Sequence, residues 1–158
     1  MVSVKKILPL ALTLLLICGC SQKDFGERHH NYTLGISLCV PTNWKRAVLS
    51  PAADLTSMAF EDEQKATVIV TQNHEDSLER QLKIAFEMNY PVLKSGPLPF
   101  SKYKTKWLLS DKDQVTTVTY VLKDKAGHIF SIIGTSPSLN FVSYRYLFDK
   151  IVRSFDSY

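Results

Sequence analysis

Two adjacent histidines, His29 and His30, are the first candidates for metal chemistry in this 158-residue chain. Imidazole is a good ligand for zinc or copper, and His74 and His128 could complete a site. Adjacent side chains on an extended segment point in different directions, however, and the sequence has neither a His-Glu-x-x-His motif nor zinc-type pairs of cysteines. This pattern favours solvated histidines, and we expect no metal and no other cofactor.

Two acidic pairs, Asp62 with Glu63 and Asp111 with Asp113, could supply the acid and base for cleavage of a glycoside. Each pair flanks a turn signal, where charged side chains are usually only solvated. The sequence also lacks the motifs of serine hydrolases, P-loop proteins and dinucleotide-binding proteins. We therefore expect no catalytic residues and no enzyme. The alternative is a metal-binding protein or hydrolase whose site has no recognisable motif.

The first 19 residues have the pattern of an export signal rather than of a catalytic or metal site. Lys5 and Lys6 precede an uncharged stretch, 7–17, that contains six leucines. This is the pattern of a cleavable export signal. As a helix the stretch would reach about 16 Å, too short to cross a hydrocarbon core of about 30 Å comfortably. We predict a signal peptide over 1–19, with a buried helix or an uncleaved anchor as the alternative.

The segment after this stretch, Leu16-Ile17-Cys18-Gly19-Cys20, resembles the lipobox of bacterial lipoproteins. The resemblance implies diacylglyceryl transfer to the Cys20 sulfur, cleavage after Gly19 and often acylation of the new amino group. Two or three acyl chains give an essentially permanent membrane anchor. By analogy with lipoprotein sorting in enteric bacteria, Ser21 favours the outer membrane, facing the periplasm, if the host has two membranes.

Composition and charge place the remainder among ordinary globular domains, since 45% of residues are apolar and 22% are charged. Without 1–19 the chain has 139 residues, which carry 17 basic and 15 acidic side chains. So small an excess does not indicate a basic field for nucleic acid. The only thiol left free is Cys39, which lies in the apolar run 36–40, and we predict that it is buried and unreactive.

Residues 21–31 are polar and nearly free of apolar side chains. They predict a flexible tether, so that 20–31 comprises the lipidated cysteine and its linker and 32–158 forms a single domain. Eleven flexible residues span about 18 Å on average, which would keep the domain next to its membrane.

Hydrophobic periodicity predicts the elements of that domain. Apolar residues alternate in a first strand, and they follow a helical period in two places, the second after Pro137. Between 92 and 100 the proline- and glycine-rich sequence predicts a loop or an irregular edge. The expected strands are 32–40, 58–61, 66–71, 104–109, 115–123 and 128–135, and the expected helices are 76–89 and 139–154.

The opening strand that ends in Pro41-Thr42-Asn43-Trp44 and the closing helix that ends in 151–155 are together similar to the PsbP/Mog1-like family of small domains. The resemblance implies an α+β fold in which helices cover an antiparallel sheet. It also implies a non-enzymatic accessory or binding module without a named partner, because the partner-binding signatures of better known members are not recognisable here.

Two groups of side chains could each form a binding site. Four aromatic residues could line a ligand groove, although large aromatics are more often core residues. Three lysines alternate along a possible edge strand, where lysine more often blocks edge pairing than binds anionic lipid. The aromatic residues are Trp44, Phe100, Tyr103 and Trp107, and the lysines are Lys102, Lys104 and Lys106.

The sequence as a whole therefore predicts a lipoprotein of the bacterial cell envelope. It would be held to its membrane through Cys20 and would act as a non-catalytic binding or assembly module for an envelope protein that the sequence does not identify.

Overall fold

The computed structural model describes residues 25–50 and 56–158. The predicted signal peptide, Cys20 and the tether as far as Asp24 lie outside the described residues, as does the segment 51–55. No helix in the described ranges is both long enough and apolar enough to cross a membrane.

The described residues form ten strands and two α-helices. A 3₁₀ turn at 138–140 leads into the second helix. In chain order the elements are β1 (Glu27–Asn31), β2 (Ile36–Val40), β3 (Lys45–Arg46), β4 (Ser57–Glu61), β5 (Thr67–Asn73), α1 (Leu78–Met88), β6 (Val92–Pro97), β7 (Lys104–Lys112), β8 (Val115–Lys123), β9 (Ile129–Pro137), α2 (Phe141–Ser154) and β10 (Asp156–Ser157).

The strands form two antiparallel sheets. The larger has seven strands in the order β3-β4-β5-β9-β8-β7-β6, and the smaller has three in the order β1-β2-β10. With its two helices this is the α+β architecture that the sequence predicts, and the hairpins β4–β5 and β8–β9 are confirmed.

Alternation along β8 shows that the two helices lie on opposite faces of the larger sheet. Tyr120 and Leu122 pack into the main core together with Phe148 of α2. Val121, between them, packs instead against Leu82 of α1. Successive side chains of a strand point to opposite faces, so one strand contributes to both layers.

The main core lies between one face of the larger sheet, helix α2 and the smaller sheet. All five residues of β2 are buried, including Cys39, whose thiol is free as predicted. The predicted apolar face of α2 is confirmed, since Phe148, Ile151 and Val152 are among its buried residues. On the opposite face, α1 begins two residues after the predicted start, with the Ser77 side chain accepting a hydrogen bond from the Arg80 N–H as its N-cap.

Three sequence predictions need correction. The tether prediction is wrong for Glu27–Asn31, which form β1 and pair with β2 along its whole length. The first predicted strand is too long, because 32–35 form a turn in which the Asn31 side chain accepts the Leu34 N–H at 3.0 Å. Strand β7 is not an edge, since it lies between β6 and β8. The edge on this side of the sheet is β6, from the stretch predicted as a loop or irregular edge, and its register with β7 shifts between Val92 and Lys94.

Candidate functional site

The structure separates the four histidines. The His29 ring packs against Phe60, with ring centroids 4.7 Å apart, whereas His30 stacks on Tyr32 at 5.6 Å. His128 lies at the β8–β9 turn beside Asp124, and His74 is exposed. Within 25–50 and 56–158, no group of three or more histidines, cysteines or acids has a geometry that could hold a metal ion.

Asp62 closes the β4–β5 turn. Its Oδ1 accepts the backbone N–H groups of Gln64 and Ala66 at 2.9 and 2.8 Å, and its Oδ2 accepts the Tyr144 hydroxyl of α2. The Asp62 carboxylate thus stabilises the turn, which is a common role for aspartate in short turns. Burial, followed by this hydrogen bond, raises the pKa of Tyr144 to about 12.

A hollow of about 350 Å³ lies beside this pair. Trp44 and Tyr144 form part of its wall, with their rings in an edge arrangement at 6.3 Å. Both Asp62 and Tyr144 already hold the turn against α2, which leaves Glu63 as the remaining ionisable group of the lining. One carboxylate at an exposed turn does not provide an acid and base pair. The other lining residues are Phe25, Pro41, Asn43, Gln64 and Leu147.

The second acidic pair is also part of a turn. Asp113 and Gln114 both have positive φ, at 53° and 64°, which is the geometry of a two-residue hairpin loop between β7 and β8. Asp111 accepts a hydrogen bond from the Thr116 hydroxyl at 2.6 Å, and hydrogen bonds from Thr116 and Ser138 lower the pKa of its carboxyl group. Of the two acidic pairs, Asp62 and Glu63 both line the hollow, but Asp62 is held by its hydrogen bonds to the turn and to Tyr144. Asp111 is likewise held by the Thr116 hydroxyl, and Asp113 lies in the hairpin loop.

The four aromatic candidates do not line one groove. Trp44 and Tyr103 are buried in the main core, whereas Phe100 is exposed. Trp107 is half-buried under the Arg145 guanidinium, whose carbon lies 4.1 Å from the ring centroid. That stacking attaches α2 to β7.

The three lysines are also dispersed. Lys102 precedes β7 and pairs with Asp156 of β10, and its hydrogen bond lowers the pKa of that carboxyl group. Lys104 and Lys106 are exposed on β7 and point to the α1 side of the sheet, as does Leu108 between α1 and the sheet. They do not form the edge row that the sequence suggests.

Exposed apolar side chains are concentrated at the end of α1, and we call Phe86, Met88, Tyr90 and Leu93 the α1-end patch. The helix ends here because the Asn89 side chain donates to the Ala85 carbonyl at 2.8 Å and proline follows at position 91. Strand β6 then runs along the edge of the larger sheet, where β7 is its one neighbour among residues 25–50 and 56–158. A groove of about 470 Å³ adjoins the patch between α1 and the β6–β7 hairpin.

A second exposed apolar row runs along α2 and the turn before it and consists of Leu139, Val142 and Tyr146. Together with the partly buried Lys150, we call these residues the α2 stripe. Leu139 and Val142 are 98% and 86% exposed. The Lys150 ammonium lies 4.6 Å from the centroid of the Tyr146 ring and 5.5 Å from that of Phe25. Sequence reasoning missed both surfaces, although Val142 and Tyr146 could have been noticed as apolar residues outside the predicted buried face of the helix.

Comparison with known proteins shows the fold. No family model matches the chain, and no curated protein matches its sequence. Cyanobacterial PsbP (CyanoP) from Synechocystis sp. PCC 6803 is similar in structure, with a TM-score of 0.58 and 14% identity over 84% of this chain and 92% of that one. The Ran-binding protein Mog1p of Saccharomyces cerevisiae has a TM-score of 0.56 and 13% identity, over 83% and 94%.

A third protein is LpqN of Mycobacterium tuberculosis, described as involved in cell envelope biogenesis. It matches with a TM-score of 0.48 and 13% identity over 85% of this chain and 86% of that one. The two stronger likenesses confirm the PsbP/Mog1-like fold.

Proposed function

We propose that this PsbP/Mog1-like domain belongs to a lipoprotein of the bacterial cell envelope, anchored through Cys20, that binds a protein partner without catalysis. If the host has two membranes, the anchor would lie in the outer membrane and the domain would face the periplasm. The PsbP and Mog1p likenesses support the choice of a binding module only as analogy, because one fold can serve many functions.

The observation that carries the proposal is the contrast between the ionisable groups and the α1-end patch. Asp62, Asp111 and Asp124 each accept hydrogen bonds that hold a turn of the fold. This structural use of the three carboxyl groups supports a role without catalysis. The patch, by contrast, has four exposed apolar side chains, and one of them, Leu93, lies on β6, an edge strand of the larger sheet in the described part of the chain.

A protein partner would contact both the apolar side chains of the patch and the sheet edge at β6. Large apolar and aromatic side chains supply most of the binding free energy at protein interfaces. The outer backbone groups of β6 offer a further contact, since an extended segment of a partner can pair with an exposed sheet edge. Lys94 on β6 and Pro97 at its end are of the kinds that discourage indiscriminate pairing.

Two features support the anchor: the sequence pattern that ends at Cys20, and the short linker between Cys20 and the first strand. Because β1 starts at Glu27, the linker is shorter than the sequence suggests, and the domain would be held close to its membrane.

The anchor is tested by metabolic labelling of the intact protein with a palmitate analogue. We expect label on the wild type and none on Cys20→Ala, which should also keep its first 19 residues. Mass spectrometry of the amino terminus checks the cleavage, and labelling of Cys20→Ala at the wild-type level would refute the anchor.

The binding surface is tested by a photocrosslinking amino acid placed at Tyr90, in cells that retain their native envelope. Tyr32 serves as the matched control, because it is the same residue type with the same exposure of 81% but lies in the β1–β2 turn. We expect a discrete protein adduct from position 90 and a much weaker one from position 32. Equal yields, or no adduct at position 90, would rule out the α1-end patch.

A further inference from the structure

The α2 stripe lies directly beside the place where the chain enters the domain. Val142, Tyr146 and Lys150 are spaced four residues apart, so they fall along one side of α2 over about 12 Å. The far end of this row, Lys150, is in contact with Phe25, the first described residue.

The length of chain outside the structure limits how far this end can lie from a lipid anchor. Five backbone steps separate Cys20 from Phe25, and a fully extended chain covers at most about 3.6 Å per residue. Phe25 can therefore lie no more than about 18 Å from the Cys20 backbone. A tether this short gives its domain a high effective concentration at the surface to which it is attached.

The chemistry of the stripe fits the interface of a bilayer with anionic lipids. The leucine and valine side chains of an interfacial helix lie at the boundary between headgroups and acyl chains, and tyrosine prefers the level of the headgroups. Lys150 lies over the Tyr146 ring, where its stem can cover apolar surface while its ammonium group reaches a lipid phosphate. Of the charges on α2, Arg145 pairs with Asp149, and Lys150 and Arg153 leave an excess of positive charge.

We propose that the α2 stripe docks on the surface of the membrane that holds the anchor, with Val142 and Tyr146 at the level of the lipid headgroups. This inference rests on the proposed lipidation of Cys20. Docking would fix the orientation of the domain. Phe86 and Met88 of the α1-end patch belong to α1, which covers the face of the larger sheet opposite to α2, and they would remain open to a partner.

The test uses the full-length, lipidated protein reconstituted into vesicles of phosphatidylethanolamine and phosphatidylglycerol. Single cysteines, Val142→Cys and Tyr146→Cys, carry a nitrobenzoxadiazole fluorophore, and part of the lipid carries a doxyl quencher near the headgroup. Met88→Cys, at an exposed apolar position of the α1-end patch, is the matched control. Wild-type protein gives the labelling background, because Cys39 is buried.

We expect quenching to lower the emission at positions 142 and 146 by about twofold, and that at position 88 by much less, since an interfacial helix buries its apolar face only to the depth of the headgroups. Adding Lys150→Glu should reduce the quenching at position 142. If the fluorophores at positions 142 and 146 are quenched no more than the one at position 88, the proposal is overturned.

Flotation of the same vesicles separates this inference from the proposed anchor. Protein that floats with the vesicles but shows no selective quenching would leave the anchor intact and remove the docking. Protein that does not float would overturn both. A protein adduct formed by a photocrosslinker at position 142 in intact cells, without selective quenching in vesicles, would assign the stripe to a partner protein and likewise overturn the docking.

Discussion

The ring of Phe148 in α2 occupies the space that a side chain at Gly134 of β9 would need. A Cβ atom built on Gly134 would lie 2.7 Å from Phe148 Cγ and 2.8 Å from both Cδ atoms. Because Phe148 is almost fully buried and belongs to the main core, this glycine allows α2 to approach the larger sheet closely. The pair therefore controls the spacing of helix and sheet.

Truncation of Phe148 to alanine should lower the free energy of unfolding by about 3 to 5 kcal/mol, because it removes a buried ring and leaves a cavity. Gly134→Ala should also destabilise, since a methyl group has no room against the ring. Urea unfolding measures both. In a double-mutant cycle, Gly134→Ala should cost less in the Phe148→Leu background than in the wild type. Strictly additive effects would show that the two residues do not share this space.

Tyr144 should make the protein less stable in alkali. Burial and the hydrogen bond to Asp62 raise its pKa to about 12, whereas a tyrosine in the unfolded chain ionises near pH 10. Between these values the unfolded state has released a proton that the folded state retains, so stability falls as the pH rises. Burial also raises the pKa of Tyr120, which acts in the same direction.

Urea unfolding at pH 8 and at pH 11 tests this expectation. Tyr144→Phe should lose about 1.5 to 3 kcal/mol at pH 8, the usual range for a hydrogen bond to a charged group. It should also show a smaller decline toward pH 11 than the wild type. An unchanged decline would mean that Tyr144 does not contribute to the alkaline loss.

Asp124 should make the stability of the protein depend on pH in the acid range. Its Oδ1 accepts the His128 N–H at 2.8 Å, and its Oδ2 lies 3.1 Å from His128 Nδ1. Burial alone would raise the pKa of this carboxyl group, but the hydrogen bonds from His128 outweigh burial and lower the pKa below its usual value of 3.8. Its stabilising effect is therefore present above pH 3.8 and is lost as the pH falls below that value.

Thermal unfolding between pH 3 and pH 7 measures this contribution. Asp124→Asn should lose about 1 to 3 kcal/mol at pH 7 and should lose less than the wild type on acidification. Asp113→Asn makes the same chemical change at an exposed turn residue and should stay within about 0.5 kcal/mol of the wild type. If both variants behaved alike, the Asp124–His128 contact would have no role in stability.

The protein should bind no stoichiometric transition metal, because the rings of His29 and His30 contact different aromatic residues. Metal analysis of protein purified without a histidine tag checks this. His30→Ala should keep wild-type stability within about 0.5 kcal/mol, since His30 is exposed. His29→Ala should cost more because its ring packs on Phe60. One tightly bound equivalent of metal that disappears in the double variant would support the metal-binding alternative.

Several elements could be predicted from local patterns. The α1 cap at Ser77 and the β8–β9 hairpin, with Gly127 at a φ of +98°, follow from residues only a few positions apart. The burial of Cys39 likewise follows from its apolar neighbours. Such signals are local because periodicity and turn chemistry act between residues that are near one another in the chain.

The smaller sheet illustrates what local patterns miss. Strand β1 is polar and shows no apolar alternation, since its pairing with β2 relies on backbone hydrogen bonds and on contacts such as Arg28 Nη1 with Ser37 Oγ at 2.9 Å. The two-residue strand β10 pairs with Ile36 and Ser37, about 120 positions earlier in the chain. The sequence of β1 or of β10 alone does not show that its pairing partner is β2.

The sequence by itself determined the class of the fold, the order of its helices and of its main strands, and the residues that must be buried, because the hydrophobic effect acts on each residue through the pattern of its neighbours. Only the tertiary structure decided which strand forms the edge, which acids hold turns, and which apolar residues of α1 and α2 remain in water. These outcomes depend on contacts between distant segments. Leu139 and Val142 have the same apolar character as core residues, and only the packing of α2 leaves them exposed.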